Sequence, residues 1–221
     1  MLPKTQNTMK IILKKATYYT FALLCILIGL YPIIYFVIDR HFGLLSNKTK
    51  ELLADQIWNI AFYGHIIFGG IALLVGWSQF SSKLRKKNLS LHRNIGKIYL
   101  LSVLISGPCG LYIAQFATGG INNVIAFSLS GIIWLATSIL AYNFIRKGEV
   151  LMHQKMMIYS YAVCFSAVTL RFWLPTLIYF TGSFITAYQI VGWLSWVPNL
   201  FVAYYFISRL DRKIKVDLKR A

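Results

Sequence analysis

Six apolar runs, each about as long as a bilayer is thick, decide what this chain can become. They are Ala16–Ile38, Ile57–Phe80, Ile98–Phe116, Val124–Ile145, Met156–Phe180 and Tyr188–Ser208. A helix crossing the hydrocarbon core needs about 20 mainly apolar residues. Water is absent there, so every backbone N–H and C=O must find its partner within the segment or in a closed barrel. A membrane barrel would read as segments of about ten alternating residues, and the chain has none. The expected fold is therefore all-α. It is an integral membrane bundle of six transmembrane helices in a single domain over residues 1–221, ending in a basic tail at 209–221. The composition agrees, with 57% hydrophobic and only 13% charged residues, against about 25% charged in a soluble domain. The first run is too long for the core of a signal peptide, and no small-x-small cleavage site follows it. It is expected to be a retained helix.

The net charge is +17, and its placement carries the information. Nineteen Lys and Arg residues fall before the first helix, in Ser81–Lys97, in Arg146–Lys155 and after Ser208. Only Arg40, Lys48 and Lys50 fall on the other side, and Arg171 lies within a run. This is the asymmetry of the positive-inside rule, and it predicts that both termini are cytoplasmic. The partner expected for the basic loops and for the tail RLDRKIKVDLKR is the bilayer itself, through its anionic headgroups. No nucleic-acid readout motif accompanies the charge, so nucleic acid is not an expected partner.

Several chemistries are excluded. The acidic residues are Asp39, Glu51, Asp55, Glu149, Asp211 and Asp217, and none lies in a run. Carboxylate-coupled ion transport and a dicarboxylate metal site within the bundle are thereby removed. The sequence lacks HExxH, a phosphate loop and GxSxG, the signatures of common hydrolases and nucleotide enzymes. Cys25, Cys109 and Cys164 all fall within runs without a CxxC neighbour, and they read as small buried fillers.

What remains is Arg171 and three of the four histidines, His65, His92 and His153, the fourth, His41, lying in the first loop. A charged side chain at the bilayer centre costs roughly 2.5–3.5 kcal/mol on insertion scales, so Arg171 must face a protein interior, a wet cavity or the headgroups. His65 lies ~12 Å into the second helix at 1.5 Å per residue, on a stripe with Ala61, Gly69, Ala72 and Gly76. Small residues on such a stripe admit another helix or a flat group. A second small-residue stripe includes His92, Gly96, Tyr99, Gly107 and Gly110, and Pro108 is expected to bend that helix. His92 and His153 each begin a helix that enters from the basic side, which puts them at one level. His65 and Arg171 share the outer level. His153 and Arg171 are 18 residues apart, a whole number of turns, so they are expected on one face. The first helix carries the least polar content and is expected to be peripheral, with helices two to five as the functional core.

Each signal has a plainer alternative. His92 and His153 are either interfacial residues solvated beside Arg93 and Lys155, or a ligand pair for a haem iron or another metal. His65 is either a hydrogen-bonded interior residue or part of a site. Arg171 either snorkels to the interface or holds an anionic group bidentately.

Two stretches together carry a resemblance. They are HIIFGGIALLVGWSQFSSKLRKKNLSLHRNIGKIY, from His65 to Tyr99, and HQKMMIYSYAVCFSAVTLRFWLP, from His153 to Pro175. They resemble the bacterial predicted membrane proteins of domain-of-unknown-function family 2306, over helices two to five. The resemblance implies a multi-pass protein of the bacterial inner membrane and no particular reaction. It points to His65, Gln79, Phe80, His92, Arg93, Gly96, Tyr99, His153, Tyr161, Ala162, Leu170 and Arg171. Two departures stand out. Members usually carry Gly-Pro where this chain has Gly76-Trp77-Ser78, and an Arg where it has Tyr159. A looser architectural likeness is to six-helix b-type cytochromes. The fourth helix here has no His, so at most one bis-His haem could be built.

The first expectation of function is a redox or cofactor-binding protein. His92 and His153 would hold one b-type haem or a metal, with Gln79, Arg93, Gly96 and Tyr99 in support. His65 and Arg171 would line a pocket for a small redox partner such as a quinone. A second expectation, from a different class, is binding or transport of an anionic or amphipathic small molecule at His65 and Arg171. A third is a non-catalytic assembly or scaffold protein.

Overall fold

The computed structural model describes residues 4–38 and 43–218. Asp39 and Arg40, which figured in the charge count, lie outside the described residues, as do the last three residues of the tail. Among the described residues the regular structure is entirely helical. Helix α1 (Lys4–Leu30) passes through a 3-10 turn at Tyr31–Ile33 into α2 (Ile34–Val37). A 3-10 turn at Gly43–Asn47 and α3 (Lys50–Ala54) form the following loop. Helix α4 (Gln56–Gly76) ends in a 3-10 turn at Trp77–Phe80, and α5 (Ser82–Lys87) leads to α6 (Leu89–Ala114). Then come α7 (Ile121–Arg146), α8 (Val150–Cys164), α9 (Ser166–Thr181), α10 (Phe184–Leu194) and α11 (Val197–Leu218). They make six spans long and apolar enough to cross a membrane: Ile11–Val37, Gln56–Phe80, Leu89–Ala114, Ile121–Arg146, Val150–Thr181 and Phe184–Val216. The end carrying the Lys-rich α5 is called the basic end, and the opposite end the far end.

Local chemistry sets the helix starts. Asp55 accepts the Trp58 N–H at 2.7 Å and starts α4. Asn88 accepts the Leu91 N–H at 2.8 Å and starts α6. Ser81 and Ser183 cap α5 and α10 in the same way. Each cap satisfies an N–H that has no partner within its helix. At the basic end α1, α6 and α11 all run beyond the apolar runs that announce them. Hydropathy marks the depth of hydrocarbon, whereas intrahelical hydrogen bonds continue into the headgroups. Helix α6 stays one helix through Pro108.

Spans five and six, expected as single helices, are each broken near the middle. In span six Pro198 occupies the first turn of α11, where its missing N–H is harmless and its ring stops continuation from α10. Span five has no proline at its break, and side chains from span six serve it instead. Asn199 donates to the carbonyls of Ala162, at 3.2 Å, and Ser195, at 2.9 Å. The Thr169 hydroxyl also donates to the Ser195 carbonyl.

Consecutive spans pack side by side from one to six, with α8 also touching α4 and α1 also touching α9. The outside is apolar, with Leu23, Leu27, Ile132, Phe172 and Phe201 all exposed, as lipid-facing positions should be. The first span is more than an anchor. Cys25 is fully buried, and the span crosses α4 so closely that a Cβ on Gly70 would fall 2.6 Å from the Gly29 carbonyl.

A closed ring of hydrogen bonds holds the middle of the bundle. The Ser138 hydroxyl donates to the Trp134 carbonyl at 2.7 Å. Its oxygen must then accept from Ser160, at 2.7 Å. Ser160 in turn accepts from the Tyr99 hydroxyl at 2.7 Å, and Tyr99 accepts from the Trp134 indole N–H at 3.1 Å. Every hydrogen has one destination, so three spans are joined without an unsatisfied donor. Beside the ring, the Tyr161 hydroxyl donates to the Leu73 carbonyl at 2.9 Å, and Gly76 leaves room for the Tyr161 ring.

Candidate functional site

Polar side chains gather at two levels, one on each side of this ring. At the basic end His92 and His153 are each the fourth residue of a helix, α6 and α8. A carbonyl can only accept, so the 2.9 Å contact from His153 Nδ1 to Ala141 O puts the proton on Nδ1. Nε2 is then the nitrogen whose lone pair the neutral form of the ring would offer. His92 lies within electrostatic reach of His153, Arg85 and Arg93. Its Nδ1 is buried without a hydrogen-bond partner among the described residues, and so are Gln79 Nε2 and Trp77 Nε1. Gln79 approaches the open face of Gly96. His92 is thus within electrostatic reach of His153, and Gln79 lies over Gly96 one turn along α6. Arg93 is exposed beside them. Tyr99 belongs instead to the central ring. Among the described residues, no three His, Cys, Asp or Glu side chains converge as a metal would need.

At the far-end level His65 is anchored to α6. Its Nδ1–H points at the Ser106 carbonyl, 3.0 Å away, with Ser106 Oγ at 3.2 Å. The Ser106 hydroxyl returns a 2.9 Å bond to the His65 carbonyl. The ring fits only because Gly110 has no side chain, since a Cβ there would lie 2.6 Å from Nδ1.

Arg171 and His153, 18 residues apart in span five, meet different neighbours, and the turn at Phe165 lies between them. His153 turns to α7, while Arg171 turns to the first span. Its guanidinium stacks on the Tyr31 ring, 4.3 Å from the centroid, and its Nη1 donates to the Ala167 carbonyl at 2.9 Å. It has no carboxylate partner among the described residues. Arg171 lines a cavity of about 390 Å³ with Tyr31, Tyr35, Ser46, Asn47 and apolar residues of α9 and α10. His65 is close enough to sense the Arg171 charge but is not on the cavity wall. The expected pair is therefore a pair in the electrostatic sense, with only one member facing the space.

The loop over this cavity is tied down by Lys48. Its ammonium donates to the Phe116 carbonyl at the far end of span three, and burial holds its pKa below the ordinary lysine value. Leu45 beneath it is buried against Trp58 and Phe62.

These features have a family context. The family model for predicted membrane proteins designated DUF2306 matches residues 62–207. The chain belongs to that family. The match runs from the second span through most of the sixth, further than the two motif stretches, and includes His65, Gln79, His92, His153 and Arg171. No curated protein and no solved structure matches the chain. The part of the far-end cavity built from Tyr31, Tyr35 and the 43–47 turn lies before the family match.

Those residues are also what sequence reasoning missed. Tyr31 and Tyr35 stand four apart on one helical face, the only trace of their shared role. Among interfacial aromatics the spacing looks ordinary. Asn122, Asn123 and Asn199 were missed as well. Asn123 Nδ2 donates to the carbonyls of Thr118, at 2.7 Å, and Tyr188, at 3.1 Å. Asn122 accepts the Trp193 indole N–H at 3.0 Å.

Proposed function

We propose that this membrane protein binds a small amphipathic anion in its far-end cavity, with Arg171 as the recognition residue. The observation that carries the reading is a guanidinium without a carboxylate partner among the described residues, facing a space of about 390 Å³ between mostly apolar walls. A buried cation is costly unless it is paired, and here the ligand would complete the pair. Tyr31 stacking and the Ala167 carbonyl hold the group in place in advance, which lowers the ordering cost of binding. His65 serves as a positioning residue whose fixed proton keeps α4 and α6 in register beside the site. The test is mass spectrometry of small molecules that co-purify with the protein. An organic acid should accompany the wild type and be missing from Arg171→Gln at equal protein yield. Identical profiles would sink the reading.

A second reading concerns the basic-end level and is supported by His92 Nδ1, which has no partner among the described residues, and by His153, whose Nδ1 is engaged by the Ala141 carbonyl. Two histidines cannot close a protein-only metal site, so the fitting group is one that brings its own remaining ligands, as a haem does. Its redox partner would then be a membrane-soluble carrier such as a quinone. A reduced-minus-oxidised absorption band that disappears in His92→Ala and His153→Ala is the expected result, and a featureless spectrum after haem-supplemented expression would eliminate it.

A further inference from the structure

Building on the anion-binding reading of the far-end cavity, we infer that its ligand is a monocarboxylate with a compact apolar body, taken head-first onto the free side edge of Arg171. Three observations converge.

The first is the charge balance. Arg171 is the one Lys or Arg side chain among the described residues that line the cavity. The nearest candidate for a second, Lys48, follows the lining residue Asn47 but is committed to the Phe116 carbonyl. One fixed positive charge matches one negative charge. A phosphate monoester dianion or a diphosphate would leave buried charge uncompensated, which low-dielectric surroundings penalise heavily.

The second is the shape of the open edge. With Nη1 bonded to Ala167 and one face against Tyr31, Nε and Nη2 remain without partners among the described residues. Together they form a planar two-donor fork that fits the two oxygens of a carboxylate. The fork alone would also accept a phosphate, so the charge balance makes the choice.

The third is the arrangement along the cavity. Arg171 is ten residues before the end of α9 at Thr181, or ~15 Å deep at 1.5 Å per residue. Leu174, Pro175, Ile178 and Phe184 rise above it toward the far end, and Ser46 and Asn47 come from the loop. The anionic head therefore goes to the bottom and the apolar body stands above it. This order is opposite to that of a membrane lipid entering from the same leaflet. About 390 Å³ sits toward the small end of ligand sites, which run roughly 300–1,000 Å³, so the body is a ring or a short chain.

The test is calorimetry on the full chain in phosphatidylcholine nanodiscs with three probes: 4-phenylbutyrate, its methyl ester and 4-phenylbutyl phosphate. The acid should bind at least tenfold more tightly than either analogue. Arg171→Lys keeps the charge and removes the fork, and should weaken the acid at least tenfold. Leu174→Trp fills the cavity without touching Arg171 and should abolish binding. Equal or tighter binding of the phosphate would overturn the carboxylate assignment and leave the anion pocket standing. Equal binding of acid and ester, unaffected by Arg171→Lys, would overturn both. If none of the three binds at millimolar concentration, the compact-acid inference falls, and the co-purification experiment judges the pocket separately.

Discussion

Replacing Ser160 with alanine should destabilise the bundle by about 1–2 kcal/mol, and the same replacement should cost almost nothing when Tyr99 is already phenylalanine. Ser160 is fully buried, with its oxygen 2.7 Å from both the Tyr99 and the Ser138 hydroxyls. In Ser160→Ala the Tyr99 hydroxyl loses its acceptor, while Ser138 keeps its bond to the Trp134 carbonyl. One buried donor is orphaned, a loss of about 1–3 kcal/mol in water-soluble proteins. Polar pairs within a bilayer average only about 0.6 kcal/mol and reach about 1.7. The lower part of the soluble range therefore decides the estimate. Tyr99→Phe orphans a different donor, the Trp134 indole N–H. Once the Tyr99 hydroxyl is gone, Ser160→Ala strands nothing further. The double-mutant cycle should return a coupling close to the whole cost of Ser160→Ala. Reversible unfolding of the four proteins in mixed micelles measures it. Additive losses would refute the head-to-tail ring and its assigned direction.

Other consequences can be checked in the same assay. Gly110→Ala should destabilise by about 1–3 kcal/mol through overpacking, because its Cβ would fall 2.6 Å from a His65 nitrogen held at Ser106. Gly96→Ala should be neutral or slightly stabilising, since its Cβ would sit 3.8 Å from Gln79 and the helix would gain about 0.5–1 kcal/mol. Asn199→Ala should cost about 1–3 kcal/mol by stripping a donor from the breaks of both spans five and six. Lys155→Met should cost no more than about 1 kcal/mol, and less in high salt. Its 2.7 Å ion pair with Asp211 lies at the basic end, where Asp211 is 37% exposed.

The legibility of this chain follows a physical boundary. All six spans could be read, because each must satisfy the hydrocarbon requirement on its own residues. Depth could be counted along each helix as well, and His92 and His153 stand within electrostatic reach of one another, as do His65 and Arg171. Which neighbour each side chain meets is a property of packing between helices, and one sequence does not contain it. Arg171 meets Tyr31 of the first span, and nothing in the run Met156–Phe180 marks the turn at Phe165 that interrupts span five. The break is specified from elsewhere, by Asn199 of span six. The 43–47 turn likewise joins the cavity through distant partners, with Lys48 on the Phe116 carbonyl and Leu45 against Trp58 and Phe62. The part that the first helix takes in the packing was hidden for the same reason, since Cys25 and Tyr31 look like ordinary membrane residues until their partners are known.

The ring at Trp134, Tyr99, Ser160 and Ser138 has an electrical consequence. A proton wire needs a loose end that can receive a hydrogen and another that can release one. This loop begins at an indole nitrogen and finishes at a peptide oxygen, and neither exchanges protons at physiological acidity. The loop therefore offers protons no path from one polar level to the other, and it serves the bundle as a fixed polar strut.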